Sequence, residues 1–398
     1  MGRLRLAGTP VHLAEYPGRT TTNCRFAQHD LSALDRFFLP VSLTGFVDEP
    51  TLGIRAFLED DHRGAVSPDP VATLDGTDFH LSVKGIGSTV EPFVARPLEA
   101  SALDRLTDDP ELRRRLAQPS CGRSPADPPR YITGEVWLRG SPYGGQGLEH
   151  ARIALAVSER ADLTSIEGFR IAPVVKVAHL PSALEERIRS LHWFRRFRGP
   201  IVQELRLVPS NVRIYFHARS TVGTGVRDVF DRFGVDSPAR ALAFEVAFLR
   251  SAIPLLTLFA RTLRRDPTSG RLCGLDFHDV WLDKDAVIAP DGTVYFVDLE
   301  GIEEVEVDRE RIAEKIEDQI YRSLYEFLFA YEQIDRERVR RFGGAGPRKE
   351  QLASLLERAL AQDRYVRLER TPSEYVLRIR NALGDEALNT AFPLLDRA

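Results

Sequence analysis

The sequence is poor in cysteine, in lysine and in long apolar runs, and each shortage excludes something. Cys24, Cys121 and Cys273 lie far apart, with no Cys-x-x-Cys pair among them, so neither a zinc ribbon nor a disulfide framework is encoded. The most apolar stretch, residues 247–260, is broken by Arg250 and Pro254 and is too short to span a bilayer. Arg3 and Arg5 have no secretory-type apolar segment behind them, so the chain reads as soluble and cytoplasmic. No block of like charge is long enough to serve as a nucleic-acid arm, and a net charge of −4 names no partner. Histidines are scattered without a His-Glu-x-x-His pair, and there is no Gly-x-Ser-x-Gly elbow or dinucleotide-binding glycine fingerprint, which argues against zinc hydrolase, esterase and dehydrogenase chemistry. Internal repeats and low-complexity tracts are also missing.

What is present is enough for a substantial core: 398 residues, 43% hydrophobic and 28% charged, a length for two or three lobes. Short β-type runs at 79–83 and 131–138 are separated by Pro, Gly and Asp turns. Between them stand a charged helical pattern at 102–117 and a Pro/Gly-rich loop at 119–129. Residues 147–161 carry helical spacing, 169–177 an extended apolar run, 183–197 a basic amphipathic helix, and 201–217 paired extended segments around Pro209. Beyond about residue 225 the pattern turns helical, chiefly at 238–263 and 309–333, and the segment 347–398 also reads as helical. A single β-island at 287–297 holds Pro290-Asp291-Gly292, a good hairpin turn. The expected fold is α+β: a two-lobed, protein-kinase-like architecture with a β-rich N-terminal lobe (1–220, with an insertion at about 92–140) and a mainly helical C-terminal lobe (221–398).

Three constellations carry chemistry. The first runs from Phe277-His278-Asp279 through Asp283-Lys284-Asp285, then strand, turn and strand, to Val297-Asp298-Leu299-Glu300-Gly301. It puts Asp285 and Asp298 at the two ends of one hairpin, as hard oxygen ligands for Mg²⁺ on a nucleotide require; the competing reading is a surface hairpin with solvated acids. An Asp directly after Tyr-Phe-Val, at the end of a buried-type strand, needs a partner. The second is Val83-Lys84-Gly85-Ile86-Gly87-Ser88 after a strand, where glycines let the backbone approach phosphate and lysine neutralises it, or which is an ordinary turn. The third is Arg206-Leu-Val-Pro-Ser-Asn-Val-Arg213, whose two guanidinium forks can converge on a polyphosphate or serve as surface salt-bridging arginines. His278 reads as a residue that shapes the loop backbone rather than an acid or base.

Taken in order, Lys-Gly-x-Gly at 84–87, the helix with Glu149, Arg-x-x-Pro-Ser-x-x-Arg at 206–213 and His-x-Val-x-x-x-x-Asp at 278–285 resemble the selenoprotein O family. That family has a protein-kinase-like fold, binds ATP in an inverted orientation and transfers AMP to protein hydroxyls. The resemblance implies that Lys84, Gly85 and Gly87 meet phosphate and that Glu149, or Glu159 as second choice, pairs with Lys84. It further implies that Arg206 and Arg213 hold the flipped nucleotide and that Asp285 and Asp298 bind the metal. Lys284 stands where the family has its catalytic Asp, which leaves Asp279 or Asp283 as base. The separation of Lys84 from Glu149 exceeds the family's spacing, the chain is shorter than typical members, and no cysteine lies near residue 398.

A rival layout on the same fold makes Gly144, Gly145 and Gly147 the phosphate loop, Lys176 the nucleotide lysine and Glu185 or Glu186 its partner. The expectation is therefore an ATP- and Mg²⁺-dependent nucleotidyltransferase acting on a hydroxyl of a protein or small molecule, with no nucleic-acid or membrane partner. The alternatives are a phosphotransferase on the same frame and a nucleotide-binding pseudokinase.

Overall fold

The computed structural model describes residues 5–6, 19–37, 57–58, 64–67, 69–85, 146–182, 185–186, 199–213, 229–277, 285–344, 349–371 and 374–391. The segments expected at 102–117, 119–129 and 131–138, and all but residues 185–186 of the helix expected at 183–197, lie outside these residues.

The front of the molecule is a nine-stranded sheet. Its strands are β1 (Arg5–Leu6), β2 (Thr20–Thr22), β3 (Phe57–Leu58), β4 (Gly64–Val66), β5 (Ala72–Leu74), β6 (Thr77–Lys84), β7 (Gln146–Gly147), β8 (Val174–His179) and β9 (Ile201–Val208). The order is β1-β5-β6-β9-β8-β2, with β4 on β6, β3 on β4 and β7 on β9. Asp75 and Gly76 take φ of 52° and 82° between β5 and β6, the left-handed pair of a two-residue hairpin turn. In β6 the alternation sends Phe79, Leu81 and Val83 into one apolar core with Leu205 and Leu207 of β9. The other set includes Ser82 and Lys84, which pair across the ladder with Arg206 and Glu204. All eight residues of β9 are buried, its polar ones included.

Between β7 and β8 the helix α1 (Leu148–Glu159) buries Leu148, Ala151, Ala154 and Leu155, the spacing of one helical face, and it packs on β8 and β9. A short helix, α2 (Ala161–Ser165), follows. The rear half contains α3 (Val229–Arg232), α4 (Pro238–Leu256), α5 (Leu258–Thr262), α6 (Ile312–Phe342) and α7 (Lys349–Leu360). Helix α4 starts with Pro238 in its first turn behind an N-capping Ser237, a favourable start for both residue types. It buries a stripe from Ala241 to Leu256 against α6 and α7.

The rear half is less helical than its sequence implies. It holds two three-stranded antiparallel sheets. One is β10 (Arg264–Arg265), β11 (Leu272–Phe277) and β14 (Ile302–Val307); the other is β15 (Val366–Arg370), β16 (Tyr375–Arg380) and β17 (Glu386–Ala391). The expectation of helix throughout 347–398 is thus corrected after Leu360. Tyr375, Leu377 and Ile379 are buried while the residues between them are not, a period of two that a helix cannot satisfy. Of the segments expected to pair with each other around Pro209, residues 214–217 lie outside the described residues; among the described ones β9 pairs with β6, β7 and β8, and Arg213 bridges Val287. No helix among the described residues is long and apolar enough to cross a membrane.

Candidate functional site

The β-island forms as expected. Strands β12 (Ala286–Ile288) and β13 (Val294–Phe296) pair antiparallel, turning through Pro290-Asp291-Gly292 with Gly292 at φ 95°. A Cβ on Gly292 would stand 2.4 Å from the Phe244 carbonyl oxygen, so the turn also needs glycine for its close approach to α4. Neighbouring segments bind the hairpin on both edges. The Phe296 N–H donates to Arg170 O at 2.9 Å and Ala172 N–H donates to Phe296 O at 2.8 Å. On the other edge, Ile288 N–H donates to Val212 O at 2.8 Å.

At the open end of this hairpin several strand ends meet. Val297 N–H donates to Asp285 O at 2.7 Å, which brings the backbone before Asp298 beside Asp285. A 3-10 turn, Leu299–Gly301, leads into β14, whose Ile302 pairs with Phe277 at the end of β11. Asp276 is buried, ion-paired with Lys315 and hydrogen-bonded by Gln319 Nε2 at 2.8 Å. Both ends of the segment 278–284 are thereby anchored, while the segment itself lies outside the described residues.

Lys84, at the end of β6, reaches into this junction. Its Nζ donates to Asp298 Oδ1 at 3.0 Å and to Glu300 Oε1. Arg206 Nη2 donates to Glu204 Oε1 and lies 3.9 Å from Glu300 Oε2. Gln146 Nε2 donates to Glu204 Oε2 at 3.4 Å. Two cations thus face three carboxylates. The Lys84 and Glu300 side chains are each 13% exposed and Asp298 22%, whereas Glu204 is fully enclosed. The charge balance leaves its mark. Burial, with Asp298 beside it, pushes the Glu300 carboxyl above the usual range, against the pull of Lys84. Burial works against charge on Arg206, but Glu204, Glu300 and Asp298 outweigh it and hold the guanidinium above its ordinary value. Glu300 Oε2 is buried without a hydrogen bond. An acid-rich cluster of this kind favours an added cation or proton.

The sequence-predicted residues divide accordingly. Lys84, Arg206 and Asp298 come together. Asp285 is buried next to Val297, and the Arg213 backbone bridges Val287 in the strand that Asp285 precedes. Glu149 does not pair with Lys84: it is exposed in the first turn of α1, and Lys84 is held by Asp298 and Glu300 instead. Glu159, the second choice, accepts from the Cys24 N–H at 2.6 Å.

Gly85 also has a packing role. With φ of 97° it is buried, and a Cβ there would lie 2.5 Å from the Val202 carbonyl oxygen, so its glycine is required by packing on β9. In the rival layout Lys176 pairs with Asp35 rather than with Glu185 or Glu186, and Gly147 caps α1. Gly87, Asp279, Asp283, His278, Lys284, Gly144 and Gly145 lie outside the described residues.

Glu300, Glu204 and Gln146 are the cluster members that sequence reasoning missed. For Glu204 the available signal was a charged pair, Glu204 and Arg206, in a strand otherwise apolar but for Gln203. A cavity of about 270 Å³ borders His80, Pro209, Asn211, Arg232 and Pro290, and includes none of the cluster. Among the described residues no group of three or more His, Cys, Asp or Glu side chains is arranged to hold a metal ion. Searches of family models, curated proteins and solved structures return no match to this chain.

Proposed function

We propose that the chain is an ATP-dependent nucleotidyltransferase on a two-lobed, protein-kinase-like frame, moving AMP to a hydroxyl of a protein or small acceptor. The observation that carries this reading is the contact of Lys84 with Asp298 across 214 residues of sequence, which joins the front sheet to the end of the hairpin. The sheet order β5-β6-β9-β8, with a helix inserted between β6 and β8, supports the frame. The placement of Arg206 beside the Lys84 cluster supports its assignment to phosphate.

The residues suit Mg²⁺-nucleotide. Mg²⁺ takes one or two carboxylates and completes its shell with phosphate oxygens and water, and the cluster offers more negative than positive charge. Asp298 and Asp285 would hold the ion, whose bound chemistry is neutralisation of phosphate charge. Lys84 and Arg206 bind and neutralise phosphate oxygens, and Arg213 adds a second guanidinium from the hairpin side. Positioning and charge supply most of such a rate. Asp279 or Asp283 would accept the acceptor's proton as its oxygen bonds to the α-phosphorus of ATP and the bond to the β-phosphate breaks, with pyrophosphate leaving. The setting is the cytoplasm, where Cys24 and Cys273, both unpaired, stay reduced.

The test uses purified protein, Mg²⁺ and ATP labelled separately at the α and γ positions, followed by mass analysis of the protein and of added acceptors. An adenylyl gain is the expected result. A phosphoryl gain would replace this reading with phosphotransfer, and binding without any transfer would favour a pseudokinase, as Lys284 in the expected Asp position does. Asp298→Ala is expected to abolish Mg²⁺-dependent ATP binding; retained binding removes the site.

A further inference from the structure

The lysine of a phosphate site must be held in one orientation, and the sequence pointed to α1 for the group that holds it. The structure offers another source. Glu300 Oε1 accepts from Lys84 Nζ, and its second oxygen lies 3.9 Å from Arg206 Nη2. This one carboxylate therefore spans both cations assigned to phosphate. It stands two residues beyond Asp298 in the 3-10 turn Leu299–Gly301, which is pinned by the fully buried Leu299 and by Gly301 N–H donating to Asp298 O at 3.1 Å. Helix α1 packs against this same turn, while Glu149 at its start is exposed.

We propose that Glu300 is the positioning residue of Lys84, taking from the metal-side turn the role expected of a glutamate on α1. This rests on Lys84 being the phosphate lysine of the function proposed above. The consequence is a coupling: Asp298 and Glu300 share one short turn, so a displacement of that turn moves the metal ligand and the lysine partner together. Helix α1 then influences Lys84 by packing on the turn rather than through an ion pair of its own.

The first experiment needs no nucleotide. The chain has five lysines, Lys84, Lys176, Lys284, Lys315 and Lys349, so protein labelled with ¹⁵N-lysine gives a spectrum in which the Lys84 ammonium can be assigned by Lys84→Arg. An ammonium fixed by two carboxylates exchanges its protons slowly enough to be seen. Glu300→Ala is expected to remove the Lys84 signal, Glu300→Gln, which keeps one acceptor oxygen, to retain part of it, and Glu149→Ala to leave it unchanged. Survival of the full signal in Glu300→Ala, or its loss in Glu149→Ala, overturns the proposal. Thermal melts of each variant identify any that does not fold, in which case the near-isosteric Glu300→Gln decides alone, with an undiminished signal counting against the proposal.

The second readout is kinetic. With Mg²⁺-ATP, Glu300→Ala is expected to lower the transfer rate about tenfold or more while the nucleotide Kd stays within about threefold, the split of a residue that orients rather than binds. Equal losses in both contradict it. If the wild-type protein fails to bind Mg²⁺-ATP, the proposed function falls, and with it the role of Glu300 at a phosphate lysine, even where the ammonium spectrum confirms the ion pair itself.

Discussion

The cluster around Lys84 and a second cluster around Arg338 are made of the same chemical parts, but the chain assembles them in different ways. The first draws Lys84, Glu204, Arg206, Asp298 and Glu300 from β6, β9 and the turn after β13, and several of its side chains keep some contact with water. The second lies between α4 and α6. Arg338 Nε donates to Glu245 Oε1 at 2.9 Å and Arg338 Nη2 to Asp335 one turn away, with Glu245 wholly enclosed and Asp335 1% exposed. Each holds more carboxylate than cation. In the rear cluster both carboxylates are enclosed and Arg338 alone keeps some exposure, 11% of its side chain, so the excess charge favours a proton: burial pushes the Glu245 carboxyl up to about 7 against the pull of Arg338, with Asp335 adding to the rise. At the front Glu300 and Asp298 keep 13% and 22% of their side chains exposed, so water reaches part of the excess charge. Similar charge counts thus meet solvent differently, and under the function proposed above it is the more open cluster that meets the ligand.

Variants that remove one cation from each cluster sharpen this contrast. The largest loss of stability is expected from Arg338→Ala, which strands Glu245 and Asp335 without their cation and costs about 3–5 kcal/mol; urea unfolding midpoints measure it, and a cost below 1 kcal/mol would mean that the rear carboxylates are already neutral. Next comes the pH dependence of Glu245. Its folded value lies above the ordinary 4.5, so between these two values the folded state binds the extra proton and stability falls as pH rises, levelling off above about 7. Relative to Glu245→Gln, the wild type is expected to lose about 2–3 kcal/mol between pH 4.5 and 8, and parallel profiles for the two proteins would refute the assignment. The smallest effect on stability belongs to Lys84→Ala, about 1–2 kcal/mol, because its carboxylates retain Arg206 and some water. That variant is nevertheless expected to lose Mg²⁺-ATP binding in a calorimetric titration, whereas Arg338→Met, if folded, keeps it.

How much of this was legible in the sequence depends on how far apart the interacting residues lie. The hairpin at 287–297 was read correctly because Pro290-Asp291-Gly292 is a local signal, and α1, α4 and α6 follow from spacing within one helix. Lys84 and Asp298 could each be singled out, one by its glycines and the other by its place after a buried-type strand. Their mutual contact could not, because no periodicity reports which of several acids a lysine will meet across 214 residues. Glu149 was a reasonable choice by analogy and Glu300 the actual partner. The rear sheets show a different failure. Tyr375, Leu377 and Ile379 do alternate with more exposed residues, but with only Val376 and Arg378 between them the polar half of the alternation is a single residue, too short a signal to tell strand from helix.

The hairpin β12–β13 has a mechanical meaning beyond the acids it presents. Because Arg170–Ala172 bind one of its edges and Val212 the other, while Val287, Ala289 and Tyr295 pack in one core with Leu81 and Leu205, the hairpin is held along both edges and one face. A strip clamped in this way cannot be displaced without breaking hydrogen bonds and opening a packed core together. The positions of Asp285 and Val297 are therefore fixed by the same contacts that hold the strip.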